Sequence, residues 1–234
     1  MSYCRVALQS PAGVKNSGLL QVIVHLFEYQ ILPGHAAEVA GFVRQSLEQV
    51  PSGLVARCSG RRLSVDGPRY AVVSLWRDLD AFRVGTNPSG VPRDLTSKAG
   101  LFRRRLSSHF RSVQIRGTEW CEARVLRLHR AFITPDALEA WEGTVPDDLD
   151  MIAAKPGNLV ALAGVAIRDE ETGTEVPILV LTAWRDWDSL LEATGGRLNR
   201  QIQGTELAGP MPHPLADHYE LIHADTDGES DPPA

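Results

Sequence analysis

Two stretches of the chain set chemically capable side chains at strand spacing. In LQVIVHLFEYQI (20–31) the alternation of a β-strand places Val22, Val24 and Leu26 on one face and His25, Phe27 and Tyr29 on the other. In EARVLRLHRAFI (122–133) it places Leu126 and Leu128 on one face and Arg127 and His129 on the other. A neutral imidazole with a pKa near neutrality can take a proton from an acidic substrate group. A Trp closes each half: VVSLWRDLDAF (72–82) returns as VLTAWRDWDSL (180–190), so Trp76 and Trp184 are 108 positions apart. An indole wall can stack a flat substrate and keep water from reactive species. His25, His129, Trp76 and Trp184 are therefore the candidate catalytic residues. Phe27, Tyr29, Arg127, His109 and His218 are the candidate substrate-binding residues, with Tyr29 as a donor and Arg127 as an anchor for a carboxylate or phenolate.

Each assignment has a structural alternative. A Trp at a strand end can simply plug a core, and a half-buried His can be bonded to a carbonyl. Arg127 can form a rim salt bridge, Tyr29 can face water, and His109 and His218 can be surface residues. The recurring Asp78 and Asp186 read as helix N-caps, with Asp80 and Asp188 favouring the helix dipole, so no chemistry is assigned to them.

Other chemistries lack the necessary spacing. His213, His218 and His223 stand five apart, which on a strand puts His218 and His223 on opposite faces, so they cannot close on one metal. Cys4, Cys58 and Cys121 are scattered without a C-x-x-C pair, which indicates neither a zinc knuckle nor a disulfide framework. No glycine-rich phosphate loop is present, so no tightly bound dinucleotide is expected. The net charge of -5 offers no basic field for a nucleic acid, and a small apolar or weakly charged ligand suits the chain better. Residues 1–19 lack a signal-peptide core and no apolar run approaches a bilayer span, so a cytoplasmic protein without membrane contact is expected.

The elements that would position these residues alternate along 234 residues of 43% hydrophobic composition. A strand at 20–31 precedes an amphipathic helix at Ala36–Val50, where Val39, Phe42, Val43, Leu47 and Val50 recur at helical spacing. GLVARCSGRRLSV and RYAVVSLW form a hairpin about Asp66-Gly67, a helix opens near Ala81, Leu101–Leu106 reads as helical, and HFRSVQI is the closing strand. Strand, helix, strand, strand, helix, strand is the split βαβ order of a ferredoxin-like domain. The second half repeats it, with Thr134-Pro135 opening one helix and DSLLEATGGRLNRQI supplying another. The offset between halves grows from 102 at Pro33/Pro135 to 108 at Trp76/Trp184. The expected fold is α+β, with tails at 1–19 and 225–234 and ferredoxin-like repeats at 20–118 and 119–224.

The LPGH turn after the first strand and the Trp-x-x-x-x-(Ala/Ser)-(Phe/Leu) corners Trp76–Phe82 and Trp184–Leu190 resemble the antibiotic biosynthesis monooxygenase superfamily, the dimeric α+β barrel proteins. Coverage runs from Leu20 to Ala224. With both halves on one chain, the resemblance implies an intramolecular barrel like the tandem angucycline ring-opening oxygenases of the jadomycin, gilvocarcin and kinamycin pathways, with a ligand cavity beneath the helices of each half. It further implies an aromatic polyketide substrate, O2 as co-substrate, no tightly bound cofactor, and either no cofactor or diffusible reduced flavin. The pseudo-dimeric chains could pair again as homodimers. Anthrone-oxidising members use the strand Trp with an Asn four residues earlier, and here Val72 and Val180 stand there. Two alternatives belong to the same resemblance: a haem-degrading monooxygenase, for which AFRVGTNPSG and SLLEATGGRLNRQ offer no axial His, and a non-catalytic or cyclase-like binding barrel.

Overall fold

A computed structural model of the chain describes residues 22–35, 37–39, 41–42, 51–62, 68–86, 100–167, 174–200, 202–203, 205 and 215–222. Its strands are β1 (Ile23–Ile31), β2 (Leu54–Arg62), β3 (Arg69–Trp76), β4 (Phe102–Arg116), β5 (Val125–Ile133), β6 (Asn158–Ala166), β7 (Val176–Trp184) and β8 (Leu215–Ile222). The helices are α1 (Leu79–Gly85), α2 (Pro135–Ala153) and α3 (Trp187–Ala193), with a 3₁₀ turn at Trp120–Glu122. Residues 37–39 and 41–42 are also helical, and the rest of the Ala36–Val50 stretch lies outside the described residues.

The eight strands close into one antiparallel barrel in the order β1-β3-β2-β8-β5-β7-β6-β4. Read around the ring, β4-β1-β3-β2 and β8-β5-β7-β6 are two runs of the same internal order, joined at β2–β8 and β4–β6. Closure gives every strand a neighbour on both sides. The alternation read in the first and fifth strands decides which face fills the barrel: Val22, Val24, Leu26, Leu126 and Leu128 all lie in its apolar interior. Trp120, 2% exposed, packs into the same interior from the turn between the two runs.

The inward-facing positions turn polar toward one end of the barrel. Arg130 donates to both Glu28 and Asp217, Arg62 pairs with Asp217, and the Tyr219 hydroxyl donates to Glu28 Oε1 at 2.6 Å. Each of these charges therefore has an opposite partner, as burial demands.

Repeated corner residues build repeated local structure. Asp78 and Asp186 cap α1 and α3, their carboxylates accepting from the amides of Ala81 at 2.7 Å and Ser189 at 2.8 Å. The Ala81 amide holds the Asp78 carboxyl below its ordinary range, and the Ser189 hydroxyl, then its amide, do the same for Asp186. Gly53 and Gly157, at φ +82° and +74°, turn the chain into β2 and β6, and their carbonyls accept from Arg77 and Arg185 at 2.8 Å. Thr134 stands at the N-cap of α2 with Pro135 in its first turn, and Trp141, Val145, Leu149 and Ile152 form the buried stripe of that helix.

Two sequence expectations are corrected. Leu101–Leu106 is not an α-helix: a 3₁₀ turn ends at Leu101, and β4 begins at Phe102 and runs fifteen residues to Arg116. It pairs along the whole length of β1, whose amides and carbonyls would otherwise lack partners, and that demand overrides the local helical spacing. The helix expected over DSLLEATGGRLNRQI stops at Ala193, because Gly195 and Gly196 adopt φ of +64° and +76° just past its end.

Candidate functional site

The outward face of β1 carries the first group of candidates. His25 is fully buried, with Nε2 3.0 Å from the Ser107 hydroxyl of β4 and Nδ1 3.4 Å from the Ser74 hydroxyl of β3. Ser74 in turn accepts from the indole N–H of Trp76 at 3.0 Å. An indole N–H can only donate, so Ser74 accepts there and keeps its own hydrogen and a second lone pair for other partners, His25 Nδ1 among them. Both ring nitrogens of His25 thus face serine hydroxyls, Nε2 that of Ser107 and Nδ1 that of Ser74. The Phe82 ring of α1 lies 5.1 Å from the His25 ring and 5.3 Å from that of His109, which faces His25 across β1 and β4.

Farther along the same face Phe27, Tyr29, Tyr70 and Phe102 form an aromatic cluster, with Tyr29 4.6 Å from Phe102 and 5.5 Å from Tyr70. Tyr29 is 3% exposed, and its hydroxyl has no partner among the described residues. Burial, and then the neighbouring Tyr70, push its pKa above the ordinary tyrosine value. A donor left unmet inside an aromatic cluster is costly unless something arrives to accept from it.

Trp76 itself is wholly buried. It packs on Phe82 and directly against the backbone of Gly85, where a Cβ would fall 1.9 Å from the ring. With the N–H committed to Ser74, the indole's contribution to this face is to position Ser74. Trp184 makes the parallel bond to Thr182 at 2.8 Å and is equally buried.

The corresponding face of the second run is built differently. His25 faces Ser74 and His109 across its two neighbours, and the residue facing Thr182 and His218 is Arg127. By register, therefore, Arg127 occupies the place of His25 and His129 that of Phe27. Arg127 is 2% exposed. Its Nη2 donates to the Arg200 carbonyl at 2.7 Å, and its Nε has no partner among the described residues. Burial pulls its pKa down to about 10. His129 is 4% exposed with Nε2 unbonded; burial, and then Arg127, lower it to about 4. His218 is lowered to about 4 by burial, then by Arg127 and Arg62, against an opposing hydrogen bond to the Leu198 backbone, and its Nε2 is also unbonded.

Much of this second face is filled. Trp141, Val145, Leu149 and Ile152 of α2 pack with Val180, Trp184, Leu190 and Ile202. The polar group sits to one side, where His218, Trp187, Arg61, Arg62 and Glu220 line a groove of about 340 Å³ between β8 and β2.

The structure thus gathers His25, Trp76, Phe27, Tyr29 and His109 on one outward face and Arg127, His129, His218 and Trp184 on the other. His213 and His223 lie outside the described residues. Sequence reasoning misses Ser74, Ser107, Thr182 and Phe82 as site residues. A signal exists for Ser74 and Thr182, since each precedes its Trp by two and must share its strand face; Ser107 is hidden next to the stretch that reads as helix. Among the described residues, no group of three or more His, Cys, Asp or Glu is arranged to hold a metal ion, and no helix is long and apolar enough to cross a membrane.

No family model and no curated protein matches the sequence. Solved structures do match. A provisionally named monooxygenase from Fusobacterium nucleatum aligns with TM-score 0.61 and 11% identity over 87% of this chain and 93% of its own. An anthrone oxidase-like protein aligns with TM-score 0.59 and 10% identity over 88% and 94%. A ferredoxin-fold protein from Listeria monocytogenes, described as related to antibiotic biosynthesis monooxygenases, aligns with TM-score 0.50 and 10% identity over 87% and 96%. At these identities the likeness establishes the α+β, ferredoxin-like fold.

Proposed function

We propose that the chain is an oxygenase that oxidises an electron-rich polycyclic phenol of the aromatic polyketide, angucycline-like class with O2, and that His25 is its base. The reading is carried by one observation: a fully buried imidazole held between two serine hydroxyls shares a strand face with the unpartnered Tyr29 hydroxyl, amid aromatic rings. His25 and Tyr29 are four residues apart on β1, about 13 Å along the strand, a separation suited to a ligand of several fused rings.

For an anthrone the steps balance without an added reductant. His25 takes the acidic proton by way of a serine hydroxyl that faces its ring, general-base help of the kind worth about 10² to 10⁴ in rate. The resulting anion gives one electron to O2, and the two radicals join as a carbon-bound peroxide. The imidazolium returns its proton to the peroxide, the O–O bond breaks, and the remaining hydrogen on that carbon leaves with the departing oxygen as water. A CH2 and O2 become C=O and H2O. Tyr29 donates to a substrate oxygen, and the apolar surroundings keep bulk water from the peroxide. Trp76 acts through Ser74 as a positioning residue. Ring opening, where electrons are required, would draw them from diffusible reduced flavin.

The same reading treats 20–118 and 119–224 as two copies of one ferredoxin-like unit, joined so that one cytoplasmic chain makes the pair that separate subunits would make. The structural likeness to an anthrone oxidase-like protein is compatible with it. The test is oxygen uptake by the purified protein with a hydroxylated anthrone and with an angucycline quinol, each with and without reduced flavin. One O2 should disappear per anthrone, and His25→Ala should lower turnover by about 10² to 10⁴ while ligand affinity stays nearly unchanged. Oxygen uptake from none of these substrates would overturn the activity, and full turnover by His25→Ala would overturn the base.

A further inference from the structure

The second run holds a buried cation without a counterion among the described residues. Arg127 is 2% exposed, and the hydrogen bond it makes goes to a neutral carbonyl. Its pKa of about 10 still leaves it charged at neutral pH. The nearby carboxylates are committed elsewhere: Asp217 to Arg62 and Arg130, and Glu220 toward Arg61 at 4.0 Å. A buried guanidinium left in this state is costly, and an anion brought against it would offset that penalty.

Two further nitrogens stand unmet beside it. His218 faces Arg127 directly across β5 and β8, and His129 is the next outward residue along β5. Arg127 Nε, His129 Nε2 and His218 Nε2 are all buried and all without a partner among the described residues. Three orphaned polar atoms from adjacent outward positions of two paired strands point to one missing polar group. His218 also opens onto the groove of about 340 Å³, where Trp187, 37% exposed, holds its ring 6.2 Å from the imidazole. Arg61 and Arg62 also line this groove.

We infer that this face is a second binding site, taking the carboxylate of a flat aromatic acid: the carboxylate against Arg127, His218 and His129, the ring against Trp187. A guanidinium N–H meets a carboxylate oxygen with matched geometry and charge. An indole face and the flanking guanidinium groups suit an aromatic ring. The site is distinct from the His25 face and does not depend on the oxygen reaction.

The experiment is an anaerobic calorimetric titration with 2-naphthoate and with its neutral analogue 2-naphthamide. The naphthoate should bind at least about tenfold more tightly, the gain a charge-assisted bond gives over a neutral one. Arg127→Met should abolish the difference, and Trp187→Ala should weaken naphthoate by about fivefold or more. Trp187 is partly exposed, so that variant keeps the proposal testable should Arg127→Met not fold. Equal affinity for the two compounds, or naphthoate binding unaffected by Trp187→Ala, would overturn the site. Displacement of naphthoate by inorganic phosphate at equal concentration would overturn the choice of an aromatic acid.

Discussion

Replacing His129 with Phe should make the protein measurably less sensitive to acid. His129 is 4% exposed and burial, with Arg127 beside it, lowers its pKa to about 4, whereas an unfolded chain presents an ordinary imidazole at 6.5. The sign follows directly. Above pH 6.5 neither state binds the proton and the residue is neutral to stability. Below it the unfolded chain takes up the proton while the folded chain refuses it, so stability falls between pH 6.5 and 4 and then levels off. At about 1.4 kcal/mol for each tenfold change in proton affinity, the full loss is about 3 kcal/mol from this side chain. Phe already stands at the corresponding place on β1 as Phe27, so the substitution suits this face and removes the titration. Urea unfolding of both proteins at pH 7 and pH 4 isolates the effect, since every other titrating group is common to the two. The wild type should lose about 3 kcal/mol more than His129→Phe between those pH values. A difference under about 0.5 kcal/mol would mean the unbonded imidazole carries no such penalty, and the description of this face would fail.

Two further outcomes follow from packing and charge. Gly85→Ala should cost about 1–3 kcal/mol and lower Tm in a calorimetric scan, because the new methyl would meet the Trp76 ring at 1.9 Å, and Trp76 is wholly enclosed. Arg130→Met should cost about 3 kcal/mol in chemical denaturation by leaving Glu28 and Asp217 without their shared partner; adding Glu28→Gln should recover part of it, and no recovery would show that the loss lies in packing instead.

The face assignments of β1 and β5 are legible in the sequence because period-two alternation with all-apolar Val22, Val24 and Leu26 admits one interior. The paired caps are legible too, since Asp at the start of an apolar helix has a single evident role. Matching the halves by residue type misleads. His25 and His129 look like counterparts, yet the offset of 102 already present at Pro33/Pro135 carries His25 onto Arg127. The longer offset at the Trp corners arises after the first strand and does not apply to it. β4 is illegible for a different reason. LFRRRLSSHF has no alternation that distinguishes strand from helix, and the pairing demand of β1 that settles the matter lies about 80 residues upstream.

Comparing the two runs position by position separates what supports the barrel from what serves a ligand. Trp76/Trp184, Asp78/Asp186, Thr86/Thr194 and Gly53/Gly157 are kept, and each supports the fold. They supply, in turn, an enclosed indole bonded to a hydroxyl two residues back, an N-cap, a hydroxyl returned to the helix carbonyl at 2.9 Å, and a turn of positive φ. The differences fall on the outward sheet faces and the rings above them: His25 against Arg127, Phe27 against His129, Tyr29 against Ala131, Phe82 against Leu190. In a pair of identical subunits both faces would carry the same groups, and a base favoured on one would be imposed on the other. On the proposed two-copy reading, joining the copies in one chain removes that constraint. One face can then keep a hydrogen-bonded imidazole for proton transfer while the other gains a buried guanidinium for an anion. If one duty were shared by both faces, His25→Arg would convert the first face into a working copy of the second. Divided duties predict instead that this variant loses oxygen uptake and leaves naphthoate binding at the Trp187 groove unchanged.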